Sequence, residues 1–142
     1  MREVLFICTG NYYRSRFAEA VFNHAAGREG LPWRAFSRGL AIHLADGDLS
    51  RHTGAALSER GIDFAHTGPT RVSLTEADLS RAHRIVALKR EEHHAMMLEQ
   101  FPLWAGLITY WAVHDIDAAE PGQALAEIEI LVGQLLRELT RA

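Results

Sequence analysis

Apolar and polar positions follow one another along this chain in two distinct rhythms. Residues 4–8 are an unbroken apolar run, the pattern of a strand covered on both faces. From Ser15 the spacing turns helical: Phe17, Val21 and Ala25 share a stripe, with Ala20 and Phe22 beside it. This helix should fade near Gly27 or Gly30, ahead of Pro32. Residues 33–37 form a second strand candidate. Asp48 is placed to cap a helix that runs to Arg60 and stops at Gly61. Residues 67–70, Thr-Gly-Pro-Thr, read as loop. Ser73-Leu74-Thr75-Glu76 has capping-box spacing for a short helix over Glu76–Arg81. Residues 85–88 are a short buried strand, Arg90–Gln100 is helical and ends at Phe101-Pro102, and residues 107–113 are a fourth strand candidate. Leu125, Ile128, Val132, Leu135 and Leu139 draw one stripe on a C-terminal helix. Strands alternating with helices predict a parallel sheet sandwiched between helices, with the active site at the carboxyl ends of the strands. Cys8 stands at the end of the first strand.

At 142 residues the chain fits one domain, residues 1–142, large enough to bury a core. A net charge of −3 argues against a nucleic-acid module built on bulk basicity. No apolar run is long enough to span a membrane, and the run at residues 4–8 is too short for a signal-peptide core. The single cysteine excludes an intrachain disulfide and suits the cytoplasm.

The chemistry concentrates in residues 5–16, LFICTGNYYRSR. Cysteine, five residues, arginine and serine occur in that order: Cys8, Arg14, Ser15. A strand ends, a tight loop follows, and a helix begins. Unpaired N–H groups and the helix dipole at such a start form an anion site. Gly10 and Asn11 can take positive-φ conformations that turn the loop amides of Thr9, Gly10, Asn11, Tyr12, Tyr13 and Arg14 toward one centre. Arg14 offers a planar fork that matches two phosphate oxygens. The same positive field favours a thiolate at Cys8, which can attack a bound phosphate monoester and form a covalent intermediate. Ser15 can donate a hydrogen bond to that thiolate. A lone cysteine at a strand end is by itself most often a small buried hydrophobe; the spaced arginine, the Gly-Asn and the strand–loop–helix setting point past that reading. Walker A and dinucleotide glycine patterns are missing here.

The loop CTGNYYRSR resembles the phosphate loop of the low-molecular-weight protein tyrosine phosphatases, a family related to the thioredoxin-coupled arsenate reductases. FAEAVFNHAA, FSRGL, LSERGIDF, LTEADL and RIVAL extend the resemblance, in the family's order, over most of the chain. It implies an α/β, three-layer Rossmann-like or flavodoxin-like fold with a four-stranded parallel sheet flanked by helices. It implies a cysteine-dependent phosphomonoesterase, a protein tyrosine phosphatase working through a phosphocysteine on Cys8, without metal or cofactor. The expected partner is a phosphotyrosine protein or a small phosphate ester, with inorganic phosphate or another oxyanion able to occupy the site. Neither nucleic acid nor membrane is expected as a partner.

The family's general acid is an Asp in an Asp-Pro pair, often four residues after a Trp. Trp111 and Asp115 keep that spacing, so Asp115 is the candidate acid and Asp117 its alternative. The Pro and the aromatic pair that follow it in the family are replaced here by Ile116 and by Asp-Ala-Ala. The resemblance matches Asn11 to the residue that holds the loop and Ser37 to its hydrogen-bond partner. It offers His66 for a family histidine, and Ile42 or His43 for the cleft wall. Tyr13 stands where relatives carry a second cysteine, and Tyr12 takes the variable position that faces the cleft. Arg16 replaces a Pro; it either adds a second guanidinium for a more highly charged substrate or faces solvent. Lys89 stands where an acid is frequent. KREEHH, residues 89–94, reads as a solvated helix face, and adjacent His93 and His94 make a zinc site a poor fit. Two further readings remain open. One is a catalytically weak phosphate- or phosphotyrosine-binding module. The other is a single-cysteine arsenate reductase.

Overall fold

The computed structural model describes residues 1–115 and 120–141. Its elements are β1 (Arg2–Cys8), α1 (Arg14–Arg28), β2 (Trp33–Gly39), α2 (Arg51–Glu59), α3 (Glu76–Arg81), β3 (Arg84–Ala87), α4 (Arg90–Gln100), β4 (Thr109–Tyr110) and α5 (Pro121–Thr140). The four strands form one parallel sheet in the order β2-β1-β3-β4, with β1 in the middle. This is the α/β sandwich that the apolar rhythm predicts.

The unbroken run in β1 is explained by burial on both faces. Val4, Phe6 and Cys8 enter a core with Phe17, Val21 and Phe22 of α1 and the stripe of α5. Leu5 and Ile7 enter a second core with Phe36, Leu79 and Met97. A side chain such as Leu or Ile stabilises the fold by roughly 1.5–3 kcal/mol when fully buried. All five stripe residues of α5 are buried. They hold that helix against α1, which begins at the phosphate-loop motif.

Two boundaries and the capping residues of α3 differ from expectation. Ser50, not Asp48, caps α2, because its hydroxyl accepts from His52 N–H while its own N–H donates to Tyr12 O. The capping box of α3 is built from Thr75 and Asp78. β4 is only Thr109–Tyr110: Leu107 is exposed, and its N–H closes a turn on Trp104 O instead of a ladder bond.

Candidate active site

The loop between β1 and α1 lies at the carboxyl end of the central strand. Leu40 N–H donates to Cys8 O and Ala41 N–H to Thr9 O, so the segment after β2 braces the loop from one side. Ser50 N–H and the Thr53 hydroxyl brace the Tyr12 and Tyr13 carbonyls from the other. Of the Gly-Asn pair only Asn11 takes the left-handed turn, at φ 50°; Gly10 does not adopt the positive φ expected of it. Tyr13 occupies the N-cap of α1 but makes no side-chain cap bond, so its side chain does not fill the anion site.

Cys8 is buried, and its Sγ lies 2.8 Å from Ser15 Oγ. Asn11 Nδ2 donates to Ser15 Oγ at 3.0 Å and to Ser37 Oγ at 2.9 Å, while its Oδ1 accepts from Val72 N–H at 2.8 Å. The Ser37 hydroxyl passes on to Glu19 Oε1 at 2.7 Å. Both polar side-chain atoms of Asn11 are therefore committed to holding the left-handed turn. Gly39 makes the close approach possible: a Cβ there would come within 2.8 Å of Thr9 O.

Arg14 is almost wholly buried. Its Nη1 donates to Glu92 Oε1 (3.2 Å) and Val113 O (3.0 Å), and its Nη2 to Glu92 Oε2 (2.8 Å). Asp115 Oδ2 stands 3.3 Å from Nη2. Burial acts to lower the Arg14 pKa, but the Glu92 hydrogen bond and the charges of Cys8, Asp115 and Glu92 outweigh it and raise it. Cys8, Thr9, Gly10, Tyr12, Tyr13, Arg14 and Asp115 line one cavity of about 580 Å³, closed on the far wall by Leu44, Ala45 and Asp46. Asp117 lies outside the described residues.

Several expected placements need correction. His43 is exposed and does not line the cavity; Leu44, Ala45 and Asp46 supply that wall, and Ile42 packs inward against Gly39. His66 lies edge-on to His24, in a hollow with Met1 and Trp33 at the start of the strands, remote from Cys8. Thr67 is the residue beside Glu19, its hydroxyl donating at 2.7 Å. Arg16 neither faces solvent nor reaches the cavity. It is buried, donating to Thr67 Oγ1, Asp48 O and Gly68 O, and burial lowers its pKa. Burial pushes the Glu19 carboxyl up, against the hydrogen bonds from Ser37 and Thr67 and the Arg16 charge. KREEHH is not a solvated face: His93 is fully buried and Glu92 grips Arg14. Both escaped the sequence reading. No local signal marked either of them.

Among the described residues, no three His, Cys, Asp or Glu side chains gather as a metal site. A cysteine beside a serine hydroxyl in the loop between β1 and α1, a buried arginine and an acid at the mouth define the class: an α/β protein with a CX5R phosphate loop. Residues 3–142 match the family described as low molecular weight phosphotyrosine protein phosphatase, and this chain belongs to it. A protein-arginine-phosphatase of Bacillus subtilis (strain 168) is 33% identical over 99 residues, 70% of this chain. The match spans 63% of that relative's length. A low molecular weight protein tyrosine phosphatase from T. tengcongensis superposes with TM-score 0.82 at 27% identity, over 97% of this chain and 99% of its own. An arginine phosphatase mutant with a phosphorylated active-site serine superposes with TM-score 0.81 at 27% identity, over 97% and 95%.

Proposed function

We propose that this protein is a cysteine-dependent phosphomonoesterase acting on phosphorylated protein, phosphotyrosine first. The observation that carries the reading is the Cys8 thiol. It lies 2.8 Å from the Ser15 hydroxyl in a cavity lined by the buried Arg14 and by the more exposed Asp115. The phosphoryl group binds to the loop amides and Arg14, which stabilise the charge on its non-bridging oxygens. Cys8 Sγ forms a bond to phosphorus as the bond to the leaving oxygen breaks. The dianion displaces the Asp115 carboxylate from Arg14; Asp115 takes up a proton from solvent as substrate binds and passes it to the leaving oxygen. Asp115 then takes a proton from water as the water oxygen attacks phosphorus. The thiolate leaves, stabilised by the Ser15 hydroxyl, and inorganic phosphate is released. A lone cysteine in this role suits a reducing cytoplasm. Among the described residues, no helix is long and apolar enough to cross a membrane.

A second substrate, phosphoarginine, is favoured by one observation. The cavity is flanked by two carboxylates, Asp46 and Asp115, which suit a cationic guanidinium leaving group. The B. subtilis relative bears the matching name.

The test is hydrolysis of p-nitrophenyl phosphate against pH without added metal, for wild type, Cys8→Ser and Asp115→Asn. Turnover abolished in Cys8→Ser and lowered about a hundredfold or more in Asp115→Asn supports the reading. Turnover that survives Cys8→Ser defeats it. Phosphotyrosine and phosphoarginine peptides, offered side by side, rank the two substrates.

A further inference from the structure

Arg14 cannot set its own orientation. A guanidinium is a planar fork, and its value to a transferring phosphoryl group depends on the plane it presents. Of its five N–H groups, Glu92 takes one from each Nη in an end-on pair, and Val113 O takes the second from Nη1. The edge left is Nε with the outer proton of Nη2, the side on which Asp115 stands. That is the edge a phosphoryl group would share.

Glu92 is itself held. Its Oε2 also accepts from the hydroxyl of Thr9, the residue after the nucleophile, and lies 3.1 Å from His93 Nε2. His93 is fully buried, and its Nδ1 accepts from Lys89 N–H at 3.0 Å. The proton of the neutral ring is therefore on Nε2, the atom that faces both Glu92 and the Thr9 hydroxyl, 3.0 Å away. Glu92 stands in the first turn of α4, where the helix dipole favours a carboxylate.

We infer that Glu92, clamped by His93, is a positioning residue that fixes the guanidinium plane of Arg14 and couples it to Thr9 beside the nucleophile. This inference rests on the phosphatase reading for its kinetic consequence. Its geometric content concerns any trigonal-bipyramidal oxyanion bound in the loop.

The experiment compares wild type, Glu92→Gln, Glu92→Asp and Glu91→Gln, the last altering an exposed neighbour. It measures kcat and KM on p-nitrophenyl phosphate, dissociation constants for vanadate and phosphate by calorimetry, and thermal midpoint. Glu92→Gln is expected to lower kcat about 10- to 100-fold, with KM moving by about threefold or less. Vanadate, which takes the transition-state geometry, should lose about tenfold in affinity and phosphate less. Glu92→Asp keeps the charge but is too short to span both Nη atoms and Thr9, so it should show the same kcat and vanadate losses in milder form. Glu91→Gln should match wild type throughout. A Glu92→Gln protein that melts earlier yet keeps kcat and vanadate affinity within about twofold overturns the inference, because Glu92 would then be structural only. If Glu92→Gln does not fold, unchanged kcat and vanadate affinity in Glu92→Asp overturns it equally. A wild type that binds vanadate without turnover defeats the phosphatase reading alone, and the vanadate comparison still decides Glu92. A wild type that does neither defeats both.

Discussion

Tyr12 and Tyr13 are chain neighbours with opposite fates. Tyr13 joins the core, stacks edge-on near His52, and donates from its hydroxyl to Pro121 O at 3.4 Å. Burial first, and the Asp115 charge second, push its phenol up to about 12 against the pull of Arg14, so it stays a neutral donor at working pH. Tyr12 is partly exposed and lines the cavity, where its ring can face an aryl phosphate. Tyr12→Ala should therefore raise KM for an aryl phosphate about three- to tenfold with kcat nearly kept, the value of one aromatic contact. An unchanged KM in steady-state assays would remove Tyr12 from substrate binding. At this scale the sequence marked the loop, because a local strand–loop–helix path brings Cys8, Arg14 and Ser15 together. It hid Glu92, His93 and the burial of Arg16, because their partners lie far along the chain. The Arg14–Glu92 pair spans 78 positions and the Arg16–Thr67 pair 51. A polar hexapeptide such as KREEHH carries no periodicity that distinguishes a solvated face from one buried against a loop.

The elements themselves were legible wherever apolar periodicity and end signals agreed. β1, α1, β2, α3, α4 and α5 follow their predicted runs, and β1 owes its continuous pattern to two cores. β4 was overestimated, since the apolar residues before it serve a turn and an exposed edge. How the elements meet at the site depends on Gly39, at the end of β2. Its backbone passes so close to the phosphate loop that an added Cβ would meet Thr9 O and Ile42 Cγ2 at 2.8 Å and Asn11 Cβ at 3.0 Å. Two of these neighbours belong to the loop, one of them its backbone. Gly39→Ala should cost about 1–3 kcal/mol in urea unfolding and should lower kcat as well, because relief must come from the loop. Full activity in a destabilised Gly39→Ala protein would show that the strain is relieved by Ile42 instead.

Across the whole molecule, α5 secures α1, and with it the loop, by packing its stripe into the larger core. Ile128 is fully buried in that core, and Ile128→Ala should cost about 2–5 kcal/mol, read as a lowered denaturation midpoint with an unchanged m-value. Acid stability should report Glu92. Burial alone would raise its carboxyl, but the hydrogen bonds from His93, Arg14 and Thr9 prevail and hold it well below its ordinary value of 4.5. A depressed carboxylate contributes stability that is present above its unfolded value and lost as pH falls through the folded one. The stability gap between wild type and Glu92→Gln should thus be full near neutrality and close in strong acid. A gap that widens in acid would reverse the assignment. Whether Cys8 itself carries the phosphoryl group is read by acid quench during turnover followed by mass analysis of the peptide around Cys8. One added phosphoryl group is expected on that cysteine, more of it in Asp115→Asn, where the water attack is slowed more than formation when the leaving group is p-nitrophenolate. Turnover with no phosphoryl group on Cys8 in either protein would contradict that expectation.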